Sequence, residues 1–204
     1  MKKIFLSSLL FVMLISMSFE NSNAQPCPTG YTESTATFTY SNGSTTCTYI
    51  IDFCFQCSPG SGPMKVNLNW FSTSDATCFN LMMANFDDFI VKAKNYILEN
   101  HTAILCGGTL PCNQGYKPVY VYTPRCWQIY NDCSQYILRA CDDVYFCKST
   151  YNTCLDYNYS PPRLVQIKVG GDSEIGGTPP CSAGTPPLPP CYSFSPCFLL
   201  YSCE

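Results

Sequence analysis

The chain has 204 residues, enough for one domain and at most two, and carries 11 basic against 14 acidic residues for a formal net charge of −3. Its basic residues are few and scattered, which excludes the dense positive face of a nucleic-acid binder or of a protein held on anionic lipid. A single histidine excludes a histidine-rich metal centre, and 16 cysteines turn attention to covalent cross-linking instead.

Residues 1–24 read as an export signal. Lys2 and Lys3 make a positive start, Ile4 to Phe19 is mostly apolar, and Ser22-Asn23-Ala24 puts small residues before a cleavage point. The apolar run falls short of the ~20 residues a membrane span needs. Ala24-Gln25-Pro26 ahead of Cys27 is a poor lipidation signal. The expectation is a secreted chain starting at Gln25, periplasmic, extracellular or on the cell surface, with no membrane span of its own. In an exported chain an even set of cysteines reads as a disulfide framework. Cys27, Cys47, Cys54, Cys57, Cys78, Cys106, Cys112, Cys126, Cys133, Cys141, Cys147, Cys154, Cys181, Cys191, Cys197 and Cys203 are all assigned to structural disulfides, with their connectivity open.

Residues 35–57, TATFTYSNGSTTCTYIIDFCFQC, predict a hairpin. Two β-type runs flank Asn42-Gly43, the strongest short-range hairpin signal. With those two as the loop, Tyr40 faces Thr45, Phe38 faces Cys47 and Ala36 faces Tyr49. Alternation then gathers Ala36, Phe38, Tyr40, Cys47, Tyr49, Ile51, Phe53, Phe55 and Cys57 on one face that must be covered. A Gly/Pro turn at 58–63 leads to a third strand at 64–70, with Met64, Val66, Leu68 and Trp70 inward, completing an antiparallel meander. The apolar period then changes to 3.6. Met82, Phe86, Phe89, Ile90, Ala93 and Ile97 predict one main helix over about 80–99, started by Asn80 or Thr77 and ended at Asn100-His101. Asp87, Asp88, Lys92, Lys94 and Asn95 form its polar side. Its stripe is the natural cover for the hairpin.

Cys106 to Gly115 is a loop, expected to be closed by a Cys106–Cys112 bridge. Short strands follow at 116–122, 126–130, 136–141, 144–147 and 164–169, with cysteines recurring at 126, 133, 141, 147 and 154. From Gly170 the composition shifts to seven prolines and four cysteines. Paired prolines forbid helix and deny ladder donors. Residues 170–204 are therefore an irregular Gly/Pro/Cys-rich tail, clipped by Cys181, Cys191, Cys197 and Cys203. Its apolar run at 198–201 packs on its own sheet or on the edge of a neighbouring copy. The organisation is a signal at 1–24, a disulfide-stabilised α+β domain at 25–169, and the tail.

No catalytic, cofactor or metal constellation stands out. Cys54-Phe55-Gln56-Cys57 ends a strand, whereas a redox CxxC opens a helix, so a structural disulfide role is the better reading. It has no second CxxC for a zinc ribbon. His101 follows the helix, where capping is its ordinary role, and no GxSxG accompanies it. The pairs Asp87-Asp88 and Asp142-Asp143 could serve glycoside hydrolysis only at separations that adjacent residues do not offer; solvated faces are the default. Seven tyrosines between Tyr116 and Tyr151 form either sheet core or a face for glycans or proteins. Asn42-Gly43-Ser44, Asn100-His101-Thr102 and Asn158-Tyr159-Ser160 are sequons, relevant only in a glycosylating host.

The signal ending in Ala-Gln, followed by Cys-Pro-x-Gly-Tyr and cysteine-rich strands, resembles exported proteins of Bacteroidota-type bacteria. That resemblance is one of style over most of the chain. It implies export and supplies no functional residues. The leading function is non-enzymatic, an extracellular or cell-surface structural or interaction protein with a protein or glycan partner. The alternatives are a secreted hydrolase and a small secreted effector or inhibitor.

Overall fold

The computed structural model describes residues 26–203 apart from 44, 59–61, 102–105, 107–108 and 142–143. The expected signal at 1–24, the middle of the 58–63 turn and the Asp142-Asp143 pair lie outside the described residues. β1 (Thr32–Asn42) and β2 (Thr45–Gln56) form the hairpin. Asn42 pairs with Thr45, Tyr40 with Cys47, Phe38 with Tyr49 and Ala36 with Ile51, two residues off the expected register. Gly43 is therefore the first residue past β1, at φ +63. Only the first loop position takes the glycine, which leaves Asn42 in the strand, its amide donating to Asn85 Oδ1 at 2.8 Å. A slip of two keeps every side chain on its face. Ala36, Phe38, Tyr40, Cys47, Tyr49, Ile51 and Phe53 are all buried.

β3 (Met64–Thr73) continues the meander against β2, but the register shifts where Asp52 faces Trp70 and Phe53 faces Leu68. Asn69 is the extra residue of this bulge. Met64, Val66 and Leu68 point inward as expected. Past the bulge Phe71 takes the inner position, and Trp70 does not.

Two helices follow, not one: α1 (Ala76–Ala84) and α2 (Phe86–Asn100). Asp75 caps the first, accepting from the amides of Thr77 (2.6 Å) and Cys78 (3.3 Å), so the start lies before Thr77 and Asn80. Asn85 divides them at φ −131, its side chain donating to the Leu81 carbonyl at 2.9 Å. An asparagine amide competes with the backbone ladder in this way, and periodicity does not register it. The stripe Met82, Phe86, Phe89, Ile90, Ala93 and Ile97 is buried throughout.

β4 (Lys117–Pro124), β5 (Cys126–Asn131), β6 (Tyr136–Ala140), β7 (Phe146–Asp156) and β8 (Arg163–Lys168) complete the body. The sheet is mixed and not wholly antiparallel. The helices form a crossover that returns the chain in the same direction, so β4 joins the first half of β3 in parallel. The second half of β3 pairs with β6. From this fork one branch runs β4–β7–β8 and the other β6–β5. β7 is longer than the expected 144–147, because Ser149, Tyr151 and Thr153 carry on its buried face. The tail is less irregular than expected. β9 (Ser173–Ile175) pairs with β7; β11 (Ser193–Phe194) and β12 (Phe198–Leu199) pair with β5, and β10 (Ser182–Ala183) with β12.

All sixteen cysteines are joined. Cys27–Cys54, Cys47–Cys78, Cys57–Cys106 and Cys112–Cys154 hold the first part of the chain. Cys126–Cys181, Cys133–Cys191, Cys141–Cys197 and Cys147–Cys203 hold the tail. The expected Cys106–Cys112 bridge does not form. Pro111 bridges to Leu155, and the Leu155 amide donates to the Leu110 carbonyl at 2.8 Å, which delivers Cys112 to β7.

The core centres on Phe89, whose ring lies 4.9 Å from Tyr49, 5.1 Å from Phe71, 5.3 Å from Tyr40 and 5.6 Å from Phe38. Phe89→Ala removes the hub between helix and hairpin. Chemical denaturation should show a loss of about 3–5 kcal/mol; a loss within about 0.5 kcal/mol would place that side chain outside the core.

Candidate functional site

The β7–β8 turn is built by neighbours on three sides. Cys112–Cys154 and the Pro111–Leu155 bridge pin a 3-10 turn (Cys112–Gln114) against the end of β7. Asp156 closes the strand and turns the chain, its Oδ1 accepting from the Asn158 amide at 2.9 Å and side chain at 2.7 Å. An Asx turn of this kind fixes the backbone locally. It leaves Tyr157 61% and Tyr159 54% exposed.

Two clefts flank this turn and share Asp156. One, about 500 Å³, is lined by Glu99, Asp156, Tyr159, Arg163 and Gln166 with Leu164 and Val165. The other, about 450 Å³, is lined by Pro111, Cys112, Asn113, Gln114, Leu155, Asp156, Tyr157 and Asn158. Gln166 Nε2 donates to Glu99 Oε1 at 3.1 Å, tying β8 to the end of α2. Gln166 Oε1 is buried with no partner among the described residues. Arg163 lies 6.0 Å from the Tyr159 ring centre. Carboxylates, planar amides, a guanidinium and two open phenol rings thus meet around one turn.

A second polar cluster is sealed. Lys94, expected on the polar side of the helix, is 1% exposed. Its ammonium donates to Ser149 (2.9 Å), Tyr201 (3.1 Å) and Asp172 (3.3 Å). Burial pushes Lys94 down to about 8, with Asp172 opposing. Burial would raise Asp172, but Lys168, Lys94 and Ser149 outweigh it and hold the carboxyl below its ordinary value. Ser149 beside a lysine of lowered pKa has the makings of a nucleophile. Both side chains are enclosed, however, and neither cleft reaches them. This cluster is a strut between α2, β7 and the tail.

A third lies on β2. Asp52 is fully buried and pushed up to about 7 by burial; the Asn69 hydrogen bond opposes, and the nearby Glu33 carboxylate adds to the rise. Asn69 Nδ2 donates to Asp52 Oδ1 at 2.7 Å. Asp52 therefore keeps its proton to higher pH than an exposed carboxyl does.

Cys54 and Cys57 are not joined to each other. His101 ends α2, and its ring packs against Phe53 (5.6 Å) and Tyr96 (5.9 Å), with burial lowering its pKa. Asp88 pairs with Lys92 at 2.9 Å and accepts from Tyr40 at 2.8 Å. Of the tyrosines between 116 and 151, Tyr130 and Tyr151 are buried, Tyr120, Tyr122, Tyr136 and Tyr145 half-buried, and Tyr116 exposed. The sequence marks Tyr159 only as the middle of the Asn158-Tyr159-Ser160 sequon and does not mark Glu99, Asp156, Tyr157, Arg163 or Gln166. The only signal for them was a Tyr-Asn-Tyr turn before Pro161-Pro162. Among the described residues no group of three or more His, Cys, Asp or Glu is arranged to hold a metal ion, and no helix is long and apolar enough to cross a membrane. No protein-family model, curated protein or solved structure matches the chain.

Asp52 makes stability depend on pH with a defined sign. Its folded pKa of about 7 lies above the ordinary 3.8, so the folded state holds a proton that the unfolded chain has lost. Stability should therefore fall as pH rises through that window. Melting followed by circular dichroism should give a higher midpoint at pH 5.5 than at pH 8, and Asp52→Asn should flatten most of that difference. A midpoint that rises with pH in wild type, or an unchanged slope in the variant, contradicts the assignment.

Proposed function

We propose that the chain is an exported, disulfide-clamped binding protein whose β7–β8 turn engages a saccharide. Export is supported by eight bridges, since such frameworks form in oxidising compartments. The observation that carries the binding reading is the pair Tyr157 and Tyr159, held open to solvent between two clefts lined by amides and carboxylates. Phenol rings stack on the apolar faces of sugars, and planar amides and carboxylates bond their hydroxyls. Gln166 Nε2 donates to Glu99 Oε1 and so fixes that carboxylate at the cleft, where it can accept from one such hydroxyl. The bridge at Cys154 and the Asx turn at Asp156 hold the turn in place before ligand arrives, which lowers the entropic cost of binding.

A hydrolytic reading rests on Glu99 and Asp156, two carboxylates lining one cleft. One experiment separates the two. The oxidised protein is titrated calorimetrically with tetra- to hexasaccharides of glucose, mannose, xylose and N-acetylglucosamine, and each mixture is then chromatographed. Binding of at least one sugar, recovered intact, and weakened tenfold or more by Tyr159→Ala and by Gln166→Leu, is expected. Shortened products would favour the hydrolase. Heats absent across the whole panel, or indifferent to both substitutions, would contradict the site.

A further inference from the structure

Among the described residues the sheet has several edges, and all but one are blunted. β8 carries Arg163 at one end and Lys168 at the other. β9 has three residues, and β10, β11 and β12 two each, with prolines on both sides of β10 and β11 and Pro196 ahead of β12. Charge, proline and shortness are the usual protections against strand addition. β1 is neither short nor interrupted by proline, and it carries a single charge. It is eleven residues long, TESTATFTYSN, with no proline, no lysine or arginine and one glutamate. It pairs with β2 in continuous register and, among the described residues, with no other strand.

We propose that β1 is the interface between two copies of this chain, joined as an antiparallel pair about a two-fold axis at Thr37. The occupant is set by the strand's own symmetry. Thr37 is the midpoint of β1 (Thr32–Asn42). Pairing about it engages all eleven residues, the longest overlap two β1 strands can make. It also matches the faces. Thr35, Thr37, Thr39 and Ser41 are exposed, while Ala36, Phe38 and Tyr40 are buried. On the outer face Thr35 of one copy meets Thr39 of the other, and Thr37 meets itself. On the inner face Ala36 meets Phe38, small against large. Hydroxyl pairs and complementary apolar pairs are favourable cross-strand neighbours.

Charge agrees with the same register. Glu33, the one charged residue of β1, meets Ser41 of the other copy, and the two glutamates stand at opposite ends of the pair. Such an isologous contact closes on itself, so it ends at a dimer and does not build a fibre. It extends each sheet without disturbing the helix face. Phe38 stays packed on Phe89 and Tyr96, and Tyr40 stays bonded to Asp88. The contact is independent of the β7–β8 turn, so it stands or falls apart from the saccharide reading.

The on-axis residue supplies the test, because a substitution there faces its own copy. Sedimentation velocity on the oxidised protein at ~50 μM should show a dimer. Thr37→Lys and Thr37→Asp should each give a monomer that still melts cooperatively, since the side chain is exposed and like charges would meet on the axis. An equimolar mixture of the two variants should restore the dimer by pairing lysine with aspartate. Thr48→Lys, exposed on β2 and off the interface, should remain dimeric. A monomeric wild type overturns the proposal. So does a dimer that survives Thr37→Lys, a mixture that stays monomeric, or a Thr48→Lys protein that dissociates as readily.

Discussion

Four disulfides join the tail to the body in sequence order. Cys126, Cys133, Cys141 and Cys147 take Cys181, Cys191, Cys197 and Cys203 in turn. Each closes a loop of more than 50 residues, for which chain entropy alone gives about 4 kcal/mol per isolated bridge. The tail needs this constraint, since its strands of two or three residues cannot hold a sheet by themselves. Once clamped, it behaves as part of the body. Ser195 exchanges hydrogen bonds with Ile129 in both directions at 2.8 Å, and Phe198 and Tyr201 are buried. Lys94 depends on the same clamp. Its counter-charge Asp172 and its partner Tyr201 both come from beyond β8, and an uncompensated ammonium at that depth would be strongly destabilising.

Part of this fold was legible in residue order because its causes are local. Alternation in β1 and β2 marked the buried face, and helical spacing marked the stripe from Met82 to Ile97. A hairpin register that slips by two preserves the face, so the pattern was readable where the loop position was not. Failures came where one side chain or a distant partner decides. Asn85 breaks a helix through a single hydrogen bond to Leu81. Asn69 adds one residue to β3 and sends Trp70 off the inner face. Lys94 reads as polar surface until Asp172 is brought to it across 78 residues. The parallel β3–β4 pair follows from the helical crossover, which no local pattern announces.

The candidate site was less legible for a related reason. The tyrosine-rich run from 116 to 151 drew attention, and most of its rings went into the sheet or its faces. Tyr157 and Tyr159 lie just past it on the turn after β7. What distinguishes them is the Asp156 Asx turn and the Cys112–Cys154 bridge, which hold them in water. The Leu110–Leu155 hydrogen bond completes that support. Cross-links elsewhere in the molecule stabilise the sheet, while this one also shapes a surface.

The ordered clamp is the claim on which the sheet, the buried lysine and the placement of the tail all rest. Proteolysis of the unreduced protein at low pH, followed by mass spectrometry of linked peptides, reads it directly. The account predicts four cross-links, 126 to 181, 133 to 191, 141 to 197 and 147 to 203, each between body and tail. A bridge between two tail cysteines, such as Cys191 with Cys197, or any crossing of that order, would contradict it.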